Sequence, residues 1–128
     1  MTPDDRKYQA SHEWALLDGN IVTVGISKHA VEELTDLVFL DLPEAGAEAV
    51  KGEAFGEIES VKAVSDLIAP VNGTIVEVHT DIADDLDQIT NSPYENGWMV
   101  KIEVSGADAL DGLLTAAQYE EQVKEAEE

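Results

Sequence analysis

The chain reads as mainly β: a small sandwich or flattened barrel of two antiparallel sheets, with short flanking helices, one of them C-terminal. Three observations predict this. Short apolar runs rich in Val, Ile and Leu, about seven of them, are separated by turn residues. No helical stretch alternates with them in a βαβ rhythm, so a parallel sheet is not expected. Helical spacing of apolar residues is confined to residues 28–34 and to the region beyond Leu110. At 128 residues the chain can bury a core in one domain, expected over 1–128 with frayed ends at 1–10 and 121–128.

Residues 13–26 predict a first hairpin. Trp14-Ala15-Leu16-Leu17 forms its short outward strand, Asp18-Gly19 supplies turn chemistry, and Ile21, Val22, Val24 and Ile26 form a β-branched return. Ser27 is a candidate N-cap for a helix over 28–34. Residues 37–42 make the next strand, which Pro43 ends, and residues 44–52 form a loop and edge segment with two glycines. Residues 54–60 and 64–68 flank the break Val61-Lys62-Ala63 and predict a second hairpin, although the Asn-Gly or Asp-Gly pair of a two-residue turn is missing. After a turn at 68–73, residues 74–78 alternate, with Ile75 and Glu77 on one side and Thr74, Val76 and Val78 on the other. Residues 98–104 are the last strand, with Trp98, Val100, Ile102 and Val104 on one face. Leu110, Leu113, Leu114 and Ala117 have helical spacing, and Thr115 with Gln118 is a candidate capping box.

The charge balance excludes several functions. Asp and Glu total 28 against 7 Lys plus Arg, a formal −21. Nucleic acid and an anionic membrane surface both require clustered cations, so neither is an expected partner. With 44% hydrophobic residues the chain is folded, and it should repel copies of itself and stay monomeric. Such acidity also fits a salt-adapted source. The absence of cysteine removes disulfides, thiolate metal sites and thiol nucleophiles. No apolar run approaches a membrane span, and residues 1–10 carry neither a signal core nor a transit pattern, so a cytoplasmic location is expected. Asp81, Asp84, Asp85 and Asp87 lack the glycine and the spacing of a calcium loop and read as solvated acids. His29 has no partner at metal-ligand spacing and reads as a surface or half-packed histidine.

Lys62 is the residue around which chemistry can be built. Its stem is long and its amine stands at a hairpin tip. Its neighbours Glu59 and Asp66 are acidic, whereas a nucleophilic lysine needs desolvation or a neighbouring cation. Lys62 therefore reads as an attachment point for another enzyme, or else as an ordinary solvated lysine.

The run Glu59-Ser60-Val61-Lys62-Ala63-Val64-Ser65-Asp66-Leu67, followed by Pro70-Val71 and Gly73, resembles the lipoylation motif of the glycine cleavage system H proteins. Ser11-His12-Glu13-Trp14, Val22-Thr23-Val24-Gly25-Ile26, Leu42-Pro43, Gly52-Glu53, Asn91, Pro93-Tyr94 and Gly97-Trp98 agree with that family in order, over residues 11–119. The resemblance implies a lipoyl/biotinyl-type β-sandwich, lipoic acid in amide linkage to Lys62, and no catalytic residue in the chain itself. It implies a shuttle carrying the aminomethyl group of glycine. A pyridoxal-phosphate (PLP) glycine decarboxylase loads it, and a tetrahydrofolate-dependent aminomethyltransferase unloads it. An FAD-containing dihydrolipoyl dehydrogenase reoxidises it, and a lipoate ligase or lipoyl transferase modifies it. It also implies a cleft for the loaded arm at Ser11, Glu13 and Asp66, with Glu59 and Asp66 placed for recognition of the hairpin. Ile68 replaces a frequent aromatic, and Leu86 lies where the family often has a proline. Two other readings of the same residues are a stand-alone lipoate relay that donates its lipoyl group to other enzymes, and an unmodified acidic binding module.

Overall fold

A computed structural model describes residues 5–9, 11–34, 36–105, 110 and 112–127. Among them, nine strands form two antiparallel sheets. The larger sheet contains β1 (Lys7–Tyr8), β2 (Glu13–Asp18), β3 (Ile21–Ile26), β9 (Val100–Glu103), β8 (Gly73–Val78) and β5 (Glu48–Ala49), in that spatial order. The smaller contains β4 (Leu37–Asp41), β6 (Ala54–Ser60) and β7 (Val64–Ile68). Helix α1 (Lys28–Leu34) follows β3, a 3₁₀ segment (Thr80–Asp84) and helix α2 (Asp87–Asn91) follow β8, and α3 (Ala116–Glu127) ends the described chain. No helix among the described residues is long and apolar enough to cross a membrane.

Alternation within the strands sorts side chains into three packed groups. Val22, Val24, Ile75, Val100 and Ile102 fill the inner face of the larger sheet. Ile26, Leu40, Ile58, Leu67 and Met99 join Ala30, Val31 and Leu34 of α1 and Ile82 and Ile89 of the 80–91 segment in a second group. Phe55 touches both, so the two groups form one continuous interior. A third group, Tyr8, Trp14, Ala116 and Tyr119, seats α3 on the outside of the larger sheet. Gly25 is required there, because a Cβ at that position would stand 2.7 Å from the Trp14 indole.

Several local expectations are corrected. The first turn is Gly19-Asn20, one residue later than expected, because Asp18 still pairs with Ile21 and Gly19 takes the positive φ of +65°. In β8 the register shifts between Ile75 and Glu77. The extra residue, Val76, turns Glu77 to the side opposite Ile75, where it pairs with Lys101 at 3.9 Å. Trp98 precedes β9 rather than belonging to it, and its ring stacks on His79 with centroids 4.3 Å apart. Leu114 does not begin a helix: its backbone exchanges two hydrogen bonds of 2.8 Å with Tyr8, which hold it extended. Helix α3 starts at Ala116, directly after Thr115 of the capping box, in which the Thr115 N–H donates to Gln118 Oε1 at 3.0 Å and the Gln118 N–H to Thr115 Oγ1 at 3.2 Å. The stretches 1–10 and 121–128 lie partly outside the described residues; those described include β1, with Tyr8 buried, and the end of α3.

Candidate functional site

Strands β6 and β7 pair from Ala54↔Ile68 to Glu59↔Val64, and the break 61–63 is the tip between them. The tip is built by Ser60. Its hydroxyl accepts from the Lys62 N–H at 3.3 Å and the Ala63 N–H at 3.2 Å, and its own N–H donates to the Ala63 carbonyl at 2.8 Å. A serine thus does locally what an Asn-Gly pair would otherwise do. The Val61 N–H donates to the Asp36 carbonyl at 3.0 Å and fastens the tip to the entrance of β4. On this anchored turn Lys62 is exposed.

Lys62 stands at the edge of a cleft of about 390 Å³ between the hairpin, α1 and the turn before β2. Ile26, Ala30, Leu34, Ile58 and Leu67 give it an apolar wall. Its polar lining includes Ser11 and Glu13, with Asp66 on the hairpin side. Three of the four non-lysine residues expected at the site, Ser11, Glu13 and Asp66, are therefore brought together beside Lys62. Glu59 is not among them. Its register aligns it with Phe39 and Val64, a row alternate to the inward-facing Leu40 and Ile58.

Glu13 is almost entirely withdrawn from water, at 1% exposure. Its Oε1 accepts from Gln9 Nε2 at 3.1 Å and from the Ser11 hydroxyl, and its Oε2 from the Ile68 N–H at 3.0 Å. Burial pushes the carboxyl above its ordinary value, against the opposing pull of these hydrogen bonds, the Ile68 N–H foremost. A carboxylate offers about four acceptor positions, so one on Oε2 is left by these three donors. Ile68 serves here through its backbone: its carbonyl also accepts from Gln9 Nε2 at 2.9 Å.

The cleft contains groups that sequence reasoning missed. His12, with a left-handed φ of 81°, His29 and Glu33 all line it. The two imidazoles lie 4.9 Å apart, and His29 Nε2 is 3.3 Å from Glu33. Desolvation, and then His29, lower the His12 pKa below its ordinary value. His12 Nδ1 is 2.6 Å from the Tyr119 hydroxyl, which is also 2.6 Å from Ser27 Oγ. Burial pushes the Tyr119 phenol up to about 12, so it remains protonated in this network. Ser27 in turn accepts from the Ala30 N–H at 3.2 Å and caps α1 as expected. This corrects the expectation that His29 has no suitably spaced partner: Glu33 stands at i+4, which places both on one helical face with Ala30. Among the described residues no cluster of His, Asp and Glu could hold a metal ion.

The family model described as glycine cleavage H-protein matches residues 6–126. The chain belongs to the glycine cleavage H-protein family. It is 50% identical over 122 residues to the glycine cleavage system H protein of Acaryochloris marina, covering 95% of each chain. It is 47% identical over 123 residues to that of Bacillus subtilis, covering 96% of this chain and 97% of the relative. The crystal structure of a glycine cleavage system H protein from Mycobacterium marinum superposes with a TM-score of 0.88 at 46% identity, covering 95% of this chain and 98% of that one. The two sheets and flanking helices are thus the lipoyl-domain-like sandwich that the resemblance implied. The family is one of lipoate-bearing carriers, so the chain is a non-catalytic carrier component that works with the enzymes of the glycine cleavage system.

Proposed function

We propose that Lys62 is the lipoyl attachment residue and that the chain carries the aminomethyl group of glycine between enzymes. It receives the group at the PLP-dependent glycine decarboxylase and surrenders it at the tetrahydrofolate-dependent aminomethyltransferase. Dihydrolipoyl dehydrogenase then restores the oxidised arm. The observation that carries this reading is the exposure of Lys62 on a fastened hairpin tip at the edge of a cleft that contains a buried carboxylate.

The residues present fit the group. Ile26, Ala30, Leu34 and Leu67 offer an apolar wall to a hydrocarbon chain, while Ser11 and Glu13 offer oxygen acceptors to an amine. When bound, the lipoyl group supplies a strained disulfide that can take up a one-carbon unit and two electrons. The protein supplies everything else by position. Glu13, raised by burial when the cleft is empty of charge, gains its ionised form when an ammonium approaches the remaining Oε2 acceptor site. The apolar wall keeps water from the same place. Holding the arm on a stiff tip raises its effective concentration at each visited enzyme.

Intact mass after treatment with a lipoate ligase, lipoate and ATP tests the attachment. One fixed increment is expected, absent in Lys62→Arg; no increment would leave the chain an unmodified binding module. Glycine-dependent carbon dioxide exchange with the decarboxylase then separates the shuttle from a lipoate relay, which would be lipoylated yet inert in exchange.

A further inference from the structure

Among the described residues, the large hydrophobic side chains most open to solvent are Val61 at 66%, Val64 at 59%, Val38 at 52% and Phe39 at 51%. All four belong to the small sheet or its tip. The register explains the grouping. Phe39, Glu59 and Val64 are cross-strand partners in one row on the outer face of β4, β6 and β7. Val38 is the extra residue of the β4 bulge, between Leu37↔Ser60 and Phe39↔Glu59. Val61 precedes Lys62 and is tied to Asp36 at the start of β4. Two positions further from the tip, the exposed Asp41 and Glu57 pair on this side, and the other partner of Glu57, the exposed Asp66, stands at the rim shared with the cleft. An apolar patch therefore flanks Lys62 on the face turned away from the interior, with an acidic border behind it.

We propose that this face is the docking surface for the enzyme that acylates Lys62, and that this enzyme presents an apolar depression rimmed by Lys and Arg. The inference rests on the attachment reading given above. A second copy of the chain is disfavoured as the occupant, because two such acidic borders on molecules of net charge −21 would meet like against like. A basic-rimmed partner is complementary to the same feature. Reach selects the acylating enzyme. An unmodified lysine ends at its four-carbon stem. An enzyme must bring an activated lipoyl carboxyl to Nζ, where the amine, having lost its proton, attacks the acyl carbon. The amide C–N bond forms as the activating group leaves with its electron pair. That geometry forces contact with whatever surrounds the tip. Enzymes visited later meet an arm that already projects beyond it.

The experiment compares wild type with the double variant Phe39→Ser/Val64→Ser in two assays. Lipoylation by a lipoate ligase with lipoate and ATP is followed by intact mass. Exchange with the decarboxylase uses carrier already lipoylated to completion. The double variant is expected to raise the ligase KM for the carrier about tenfold or more, the effect of losing an interface anchor. It should leave the decarboxylase KM within about twofold, the scatter of near-neutral contacts. Phe39→Leu, which keeps the apolar surface, should restore the wild-type ligase KM. A ligase KM unmoved by the double variant overturns the proposal. So does a defect confined to the decarboxylase, which would assign the face to a visited enzyme. Failure of wild type itself to gain mass would instead remove the Lys62 reading, and this inference with it.

Discussion

At position 13 the fold has taken a carboxylate out of water and surrounded it with donors. Its raised pKa means that folding favours the protonated form. The contribution to stability is fully present below the unfolded carboxyl value and is lost as pH rises through the higher folded one. Above that window an ionised Glu13 is retained against stability, as binding groups often are. Glu13→Ala should leave Lys62 lipoylation unchanged and shorten the life of the aminomethyl-loaded carrier, followed by intact mass during incubation. An unchanged lifetime would dismiss its role in the cleft. His12 runs the other way. Its folded pKa is lowered by burial and by His29, so the stability it contributes is present above the unfolded value near 6.5 and is lost as pH falls below it. Urea unfolding at pH 5.5 and 7.5 should show that loss in wild type. It should be smaller in His12→Asn, since Asn does not titrate and tolerates the left-handed backbone at this position. An equal pH slope in both proteins would rule His12 out as its source.

At the scale of elements, the hairpin β6–β7 and helix α3 position the site from opposite sides. The hairpin is fastened by Ser60 and by the Val61–Asp36 bond, so the lysine is presented on a turn that backbone and side chain both hold. Helix α3 acts at a distance: Tyr119 joins His12 of the turn before β2 to Ser27, the cap of α1. Two walls of the cleft therefore share one phenol. The helix itself depends on its capping box. Thr115→Ala removes the Thr115 hydroxyl that accepts from the Gln118 N–H and should cost about 1 kcal/mol. A thermal melt should fall by a few degrees, while Gln118→Glu, which preserves the reciprocal bond, should melt close to wild type. If Thr115→Ala melts unchanged, the box is not holding α3.

The whole molecule carries 28 acidic residues against 7 basic ones, so most carboxylates have no counter-charge within the chain. Close-range repulsion of this kind opposes compaction and is relieved as the screening length contracts from about 10 Å at 0.1 M salt to about 3 Å at 1 M. The melting temperature should therefore rise across a potassium chloride series from low to molar concentration. A flat response would argue against salt adaptation. The same acidity makes association with basic-rimmed partners fast at low salt and slower as salt rises, a dependence that stopped-flow binding can read.

Much of this was legible in the residues. Strand periodicity marked 54–60 and 64–68 to the residue, and Ser27 and the Thr115–Gln118 pair marked two helix starts, because these signals lie within a few positions of one another. Lys62 was readable for the same reason: hairpin, tip and motif are contiguous. Position by position, the β8 bulge was not, since an extra residue in a ladder is decided by the partner strand. Leu114 was read as helical because its spacing is apolar, yet pairing with Tyr8, over a hundred residues earlier in the chain, holds it extended. The cleft was legible only as separate letters. Residues 11–13, 26–34 and 58–67 converge because two sheets and a helix pack around one interior. By itself the sequence determined which lysine is presented and which short segments are strands and helix starts. Tertiary structure alone decided which carboxylate loses its water, which histidines face the cleft and which valines stay outside, because burial is a property of packed surfaces rather than of neighbours along the chain.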